Sequence, residues 1–144
     1  MLGSGITKLL GAALVAALPL GAAAQDAPAA LIVELNRIVP LDGACRLTFM
    51  AQNNMDADIE QIVFETVLFT TEGGVDRLTL FDMGALPTAR PRVREFDMPG
   101  LSCDALGRVL FNGVDTCAGD GLDPARCEGA LSPVSRVDGV EVIG

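Results

Sequence analysis

The chain has 144 residues, 50% of them hydrophobic, with 10 basic against 19 acidic side chains and no His, Trp or Tyr. That length suits one modest domain, and the missing histidine removes the commonest general base, the commonest metal ligand and every Ser-His or Cys-His nucleophile. A net charge of -9 excludes nucleic acid as an expected partner, because gripping phosphates needs clustered positive charge.

Residues 1–24 read as a signal peptide. Lys8 supplies the positive n-region, Leu9 to Leu18 is an apolar run, and Ala22-Ala23-Ala24 fits the small-residue cleavage rule. The run falls short of the roughly 20 apolar residues that cross a bilayer, so the mature chain is expected to start at Gln25 and to carry no membrane span. With neither an Arg pair nor a Cys in this segment, twin-arginine export and a lipidated cysteine are unsupported. Lys8 is the only lysine, so its loss takes the net charge from -9 to -10. The expected location is the periplasm or the outside, where the four cysteines Cys45, Cys103, Cys117 and Cys127 read as two disulfides. Their wide spacing lacks the close ligand pairs of a zinc site, and no cofactor is expected.

A short Ala/Pro-rich leader, residues 25–30, precedes a domain expected over 31–144. Turn residues recur about every 8 to 12 positions, a cadence of short strands. Leu31 to Val39 is a first strand stopped by Pro40, and Asp42-Gly43 turns the chain into Cys45 to Gln52. In that second strand Cys45, Leu47, Phe49 and Ala51 share one face, and Arg46, Thr48 and Gln52 the other. Ile59 to Thr70 is apolar on both faces, so it is expected to be central or bulged. Glu72-Gly73-Gly74 turns into Val75 to Phe81, and a loop over Gly84 to Pro91 leads to a strand Arg92 to Met98. Gly107 to Val114 is a further strand, Asp115 to Ser132 a cysteine-closed loop, and Val134 to Ile143 an edge strand.

One sheet of about seven strands would leave a face of the doubly apolar third strand wet, so the expected fold is all-β, a two-sheet immunoglobulin-like sandwich. Four cysteines allow three pairings. In this topology the second and sixth strands start at the same end of opposite sheets, which pairs Cys45 with Cys103 and leaves Cys117 to close the last loop with Cys127.

The run Asn53, Ile62, Phe64, Val67, Leu68, Phe69, Gly73, Gly74 and Val75, then Leu86-Pro87 and a strand through Phe96, resembles the core of FxLYD-type immunoglobulin-like modules. Phe69-Thr70 stands where that signature has Tyr-Asp, and the resemblance spans about Cys45 to Met98. The course from Cys45-Arg46-Leu47-Thr48-Phe49 to the cysteine-rich end is also similar to small exported proteins of alphaproteobacteria. Both resemblances imply a sandwich in the cell envelope and no activity.

Three groups of residues are candidates for function. Asn54 to Asp58 with Glu65 mimics a calcium loop, but Ile59 stands where that loop needs Gly, so a polar turn is expected and no metal. Loops two-three, four-five and six-seven should gather Asp56, Asp58, Asp115, Asp120 and Asp123 beside Arg90 at one pole, suited to a basic protein surface or a cation. Arg90, Arg92 and Arg94 alternate, and a strand would project them to one side as a grip for carboxylates or as an edge guard. Glu60, Glu65, Asp76 and Asp82 could pair for hydrolysis, but there is no Trp or Tyr to stack a sugar. The expected function is a noncatalytic exported envelope module, binding or structural, whose partner if it binds is an envelope protein; the alternative is a carboxylate-based or divalent-cation-dependent hydrolase.

Overall fold

The computed structural model describes residues 30–144, with isolated positions 1–3, 5 and 21 before them. The signal peptide and leader therefore lie almost wholly outside the described residues. Eight strands follow in order: β1 Leu31–Leu41, β2 Ala44–Asn53, β3 Ile59–Thr70, β4 Val75–Leu86, β5 Arg92–Pro99, β6 Leu106–Ala118, β7 Leu131–Ser135 and β8 Glu141–Ile143. Among the described residues a 3-10 turn, Cys103–Ala105, precedes β6, and a helix, α1 Pro124–Ala130, precedes β7. The strands form two four-stranded sheets, β5-β2-β1-β7 and β4-β3-β6-β8, stacked as an immunoglobulin-like sandwich.

Alternation along each strand decides what is buried. Cys45, Leu47, Phe49 and Ala51 of β2 are all fully buried, opposite Leu31, Val33 and Leu35 of β1 on the same face. From the second sheet Phe64, Leu68, Phe81, Met83, Val109 and Phe111 close the core. Phe49 sits at its centre, with ring centroids 5.4 Å from Phe81, 6.1 Å from Phe96 and 5.9 Å from Phe111. The sixth phenylalanine, Phe69, lies outside this cluster with the Arg108 guanidinium 5.9 Å above its ring.

The doubly apolar β3 is both central and bulged, with register shifts against β4 and against β6. β1 runs past Pro40 to Leu41, where a stop was expected. Its parallel pairing with β7 reaches only Leu35, so the missing N–H of Pro40 removes no bond on that side. β4 likewise continues through the expected loop to Leu86, passing Gly84 in a left-handed conformation at φ +66.

The C-terminal third departs most from expectation. β6 extends to Ala118, and the expected loop from Asp115 to Ser132 contains α1, whose Asp123 cap accepts the Arg126 N–H at 2.7 Å ahead of Pro124. The expected edge strand over Val134 to Ile143 is two short strands. β7 pairs parallel with β1 and β8 parallel with β6, so each completes a different sheet. The reversal between them is held by the Ser135 hydroxyl, which donates to Val140 O at 2.6 Å and accepts from Val137 N. Two disulfides staple the frame, Cys45–Cys103 at one end and Cys117–Cys127 between β6 and α1.

Candidate functional site

Three loops meet at the end of the sandwich where β2 runs out. Asn53, fully buried, organises them: its Nδ2 donates to Leu86 O at 2.8 Å and Ala57 O at 3.0 Å, and its Oδ1 accepts from Met55 N at 2.9 Å. Asp58 Oδ1 accepts the Thr88 N–H at 2.7 Å, tying the β2–β3 loop to the β4–β5 loop. Arg126 of α1 reaches Asp56 Oδ1 at 2.5 Å and donates to Gly121 O, which adds the β6–α1 loop. A Cβ at Gly119 would stand 2.5 Å from Asp58 O, so only glycine permits that approach.

The expected acidic pole is therefore assembled in part from groups that already have partners. Asp56 faces Arg126, Asp58 holds Thr88, and Asp123 caps α1. Asp115 lies within β6 and accepts from the Thr116 hydroxyl at 2.8 Å, whereas Asp120 is exposed with no hydrogen bond or ion pair to a described residue. Arg90 is exposed in the β4–β5 loop, outside β5, so the three alternating arginines do not form one strand-borne stripe. Arg92 and Arg94 share the parity of Phe96 and Met98, and Arg94 Nε crosses the opening of the sandwich to donate to Met83 O at 2.8 Å. Sequence reasoning missed Arg126. The Asp123-Pro124 pair, a helix-start signature, was the signal that could have found α1 and with it the counter-ion of Asp56.

Hydrogen bonding to the charged form holds three carboxylates below the usual range. For Asp58 the cause is the Thr88 backbone N–H, for Asp97 the Arg46 guanidinium, and for Glu34 first the Asn36 amide and then Arg136. A carboxylate whose pKa is lower folded than unfolded contributes stability above its unfolded value of about 4 and loses that contribution as pH falls through the folded value. Acid unfolding should therefore set in below about pH 4. The Asp58→Asn variant keeps an acceptor for Thr88 N–H but carries no charge, so urea titrations should show it less stable than the native protein at pH 7 and a shallower fall in stability below about pH 4, where the two converge.

The outer faces of the two sheets differ in chemistry. On the first, Arg46 makes a bidentate contact with Asp97 at 2.6 and 2.9 Å, and Arg37 and Arg46 flank Glu95. On the second, one register row is apolar across all four strands: Leu78 of β4, Val67 of β3, Leu110 of β6 and Ile143 of β8. Leu78 is 73% exposed and Leu80 57%, and no described element covers them. Glu65, opposite Leu80 in register, lines a depression of about 240 Å³ with Val67, Leu78 and Leu80. Among the described residues no three acidic or cysteine side chains gather where they could hold a metal ion.

No family model matches this chain, and no curated protein matches it. A solved structure that is similar is that of IrmA from Escherichia coli, with a TM-score of 0.58 over 72% of this chain and 89% of that one, at 12% identity. At that identity the likeness shows the sandwich fold alone.

Proposed function

We propose that this chain is a noncatalytic, exported module of the cell envelope that binds a protein partner, with residues 1–24 as its signal peptide, 25–30 as a leader and 31–144 as the sandwich. The observation that carries the reading is the contrast between its polar and apolar surfaces. Asp56, Asp58 and Asp123 at the pole serve as loop ties or a helix cap, whereas Leu78 and Leu80 at the β4 end of the second sheet are largely exposed, with no described element over them. Spent carboxylates suit a frame, and an uncovered apolar face suits an interface. Export is supported by the apolar run after Lys8 and by two disulfides, which persist in oxidising compartments. Among the described residues no helix is long and apolar enough to cross a membrane. A finer kinship belongs to the same proposal: with FxLYD-type modules it rests on the residues between Cys45 and Met98, and with small exported alphaproteobacterial proteins on the course from Cys45–Phe49 to the cysteine-rich end.

The test is photo-crosslinking in intact cells, with the reactive residue placed at Asp120 on the pole in one variant and at Leu78 on the second sheet in another. The expected result is a discrete adduct to an envelope protein from at least one position. No adduct from either would overturn the binding reading.

A further inference from the structure

Two stacked open sheets leave four edge strands, and an edge that is not blunted pairs with another chain. Three edges here are blunted along their length. β5 ends at Pro99, follows Pro91 and carries Arg92, Arg94, Glu95 and Asp97; β7 has Pro133 at its centre; β8 is three residues long. β4 is blunted over its C-terminal half, where Arg94 occupies Met83 O and Gly84 is left-handed, and nearer its start only by Arg77, which pairs with Asp76 and donates to Pro99 O at 2.8 Å. Its N-terminal half, Val75–Leu80, contains no proline and no glycine, and presents Leu78 and Leu80 largely exposed.

We propose that Val75–Leu80 is a strand-addition site for an extended segment of a partner protein, whose apolar side chains cover Leu78 and Leu80 and whose Arg or Lys side chains meet Glu65 and Asp82. The proposal rests on the binding reading above and names the surface and the chemistry of the partner. Strand addition takes its affinity from main-chain hydrogen bonds and its specificity from pockets for alternate side chains. The depression beside Leu78 and Leu80, about 240 Å³, is smaller than the roughly 300 Å³ at which small-molecule pockets begin, and it fits a single apolar side chain.

Charge decides the rest of the partner. Glu65 lies across from Leu80 on β3 and Asp82 two residues beyond it on β4; neither has an ion-pair partner among the described residues, and Asp82 accepts only the neutral Gly84 N–H and Gln61 amide. Every added carboxylate in a partner would face them at close range, whereas a basic residue would be paired and drawn in by the net charge of -9. A second copy of this chain is disfavoured on the same ground. An antiparallel β4–β4 pairing that opposes Leu78 to Leu80 also opposes Asp76 to Asp82. A shift of two in the residue sum, either way, sets one of these leucines against one of these carboxylates.

The experiment measures amide hydrogen exchange of the disulfide-intact protein with an acetylated peptide of alternating lysine and valine, and with its counterpart carrying glutamate for lysine. The lysine peptide is expected to slow exchange across Val75–Leu80 and the glutamate peptide to leave it unchanged. Joint Leu78→Ser and Leu80→Ser substitution should weaken binding by about tenfold or more. Glu65→Gln should weaken it by about threefold and lessen its salt dependence. Because these side chains are exposed, the thermal midpoint of each variant serves as the control for folding. Equal binding of both peptides would overturn the proposal. So would protection confined to the pole loops, or self-association abolished by the double serine variant, which would make the occupant a second copy. Crosslinking from Asp120 with no protection of β4 would overturn this site and leave the binding reading standing; adducts from neither position would remove both.

Discussion

Replacing Cys45 and Cys103 together by Ala should lower the unfolding free energy by about 4 kcal/mol, against about 3 kcal/mol for the Cys117 and Cys127 pair, on the chain-entropy account of a cross-link. The order follows from the spans closed, 58 residues for the first bridge and 10 for the second. The first bridge also joins the start of β2 in one sheet to the turn that leads into β6 in the other, so its loss frees the two sheets to separate at that end. The second closes the ascent from β6 into α1, a local excursion that β7 and β8 still anchor beyond it. A domain of this size has a stability of about 5–15 kcal/mol. Denaturant titrations of the two double variants therefore separate them, and the first should be the more sensitive to protease at growth temperature. Equal losses would mean that the entropy of the denatured chain does not set the order.

Phe49→Ala should cost about 3–5 kcal/mol. Phe49 is fully buried and is the ring that Phe81, Phe96 and Phe111 all contact, so its removal opens a cavity between the sheets that none of the three can fill without breaking its own packing. Phe81 and Phe96 are stacked with centroids 4.4 Å apart, and Phe111 is held edge-on to Phe64 at 5.0 Å. Phe69→Ala is the matched control. That ring lies on the outer face beneath Arg108, and its loss should cost about 1 kcal/mol through the cation–π contact and partial burial. Thermal denaturation should place Phe49→Ala about 10 °C or more below Phe69→Ala, given several degrees per kcal/mol for a domain of this length.

These two results bear on function through the same frame. The stapled core fixes the sheets, and the sheets hold the Val75–Leu80 edge and the pole loops at fixed positions without help from a ligand. A variant that loses binding while keeping its midpoint therefore identifies a contact surface, and one that loses both identifies the frame. Leu78 and Leu80 belong to the first kind and Phe49 to the second.

The two-sheet architecture, most strand positions and the cysteine pairing were legible in the order of the residues. Strand positions rest on period-two alternation, as in Cys45 to Ala51, and on local turn chemistry, as at Asp42-Gly43 and Gly73-Gly74, which act within a few residues of chain, and the cysteine pairing follows from the sandwich topology that those strands imply. The meeting of the three pole loops was also legible, because it follows from strand order. Where each side chain finds its partner depended instead on contacts between distant parts of the chain. Asp56 reads as a free acidic residue until α1 brings Arg126 to it across 70 positions, and Arg94 reads as one of a stripe until Met83 O on the facing sheet takes its guanidinium. The C-terminal segment split into β7 and β8 because two sheets each had an open edge beside β1 and β6, a condition set by packing and invisible to propensity. In β4, Leu78 and Leu80 on one face and Phe81 and Met83 on the other are equally apolar. Alternation assigns residues to faces, but only the facing β5-β2-β1-β7 sheet, lying over Phe81 and Met83 and absent over Leu78 and Leu80, determines which face is core and which is left to meet a partner.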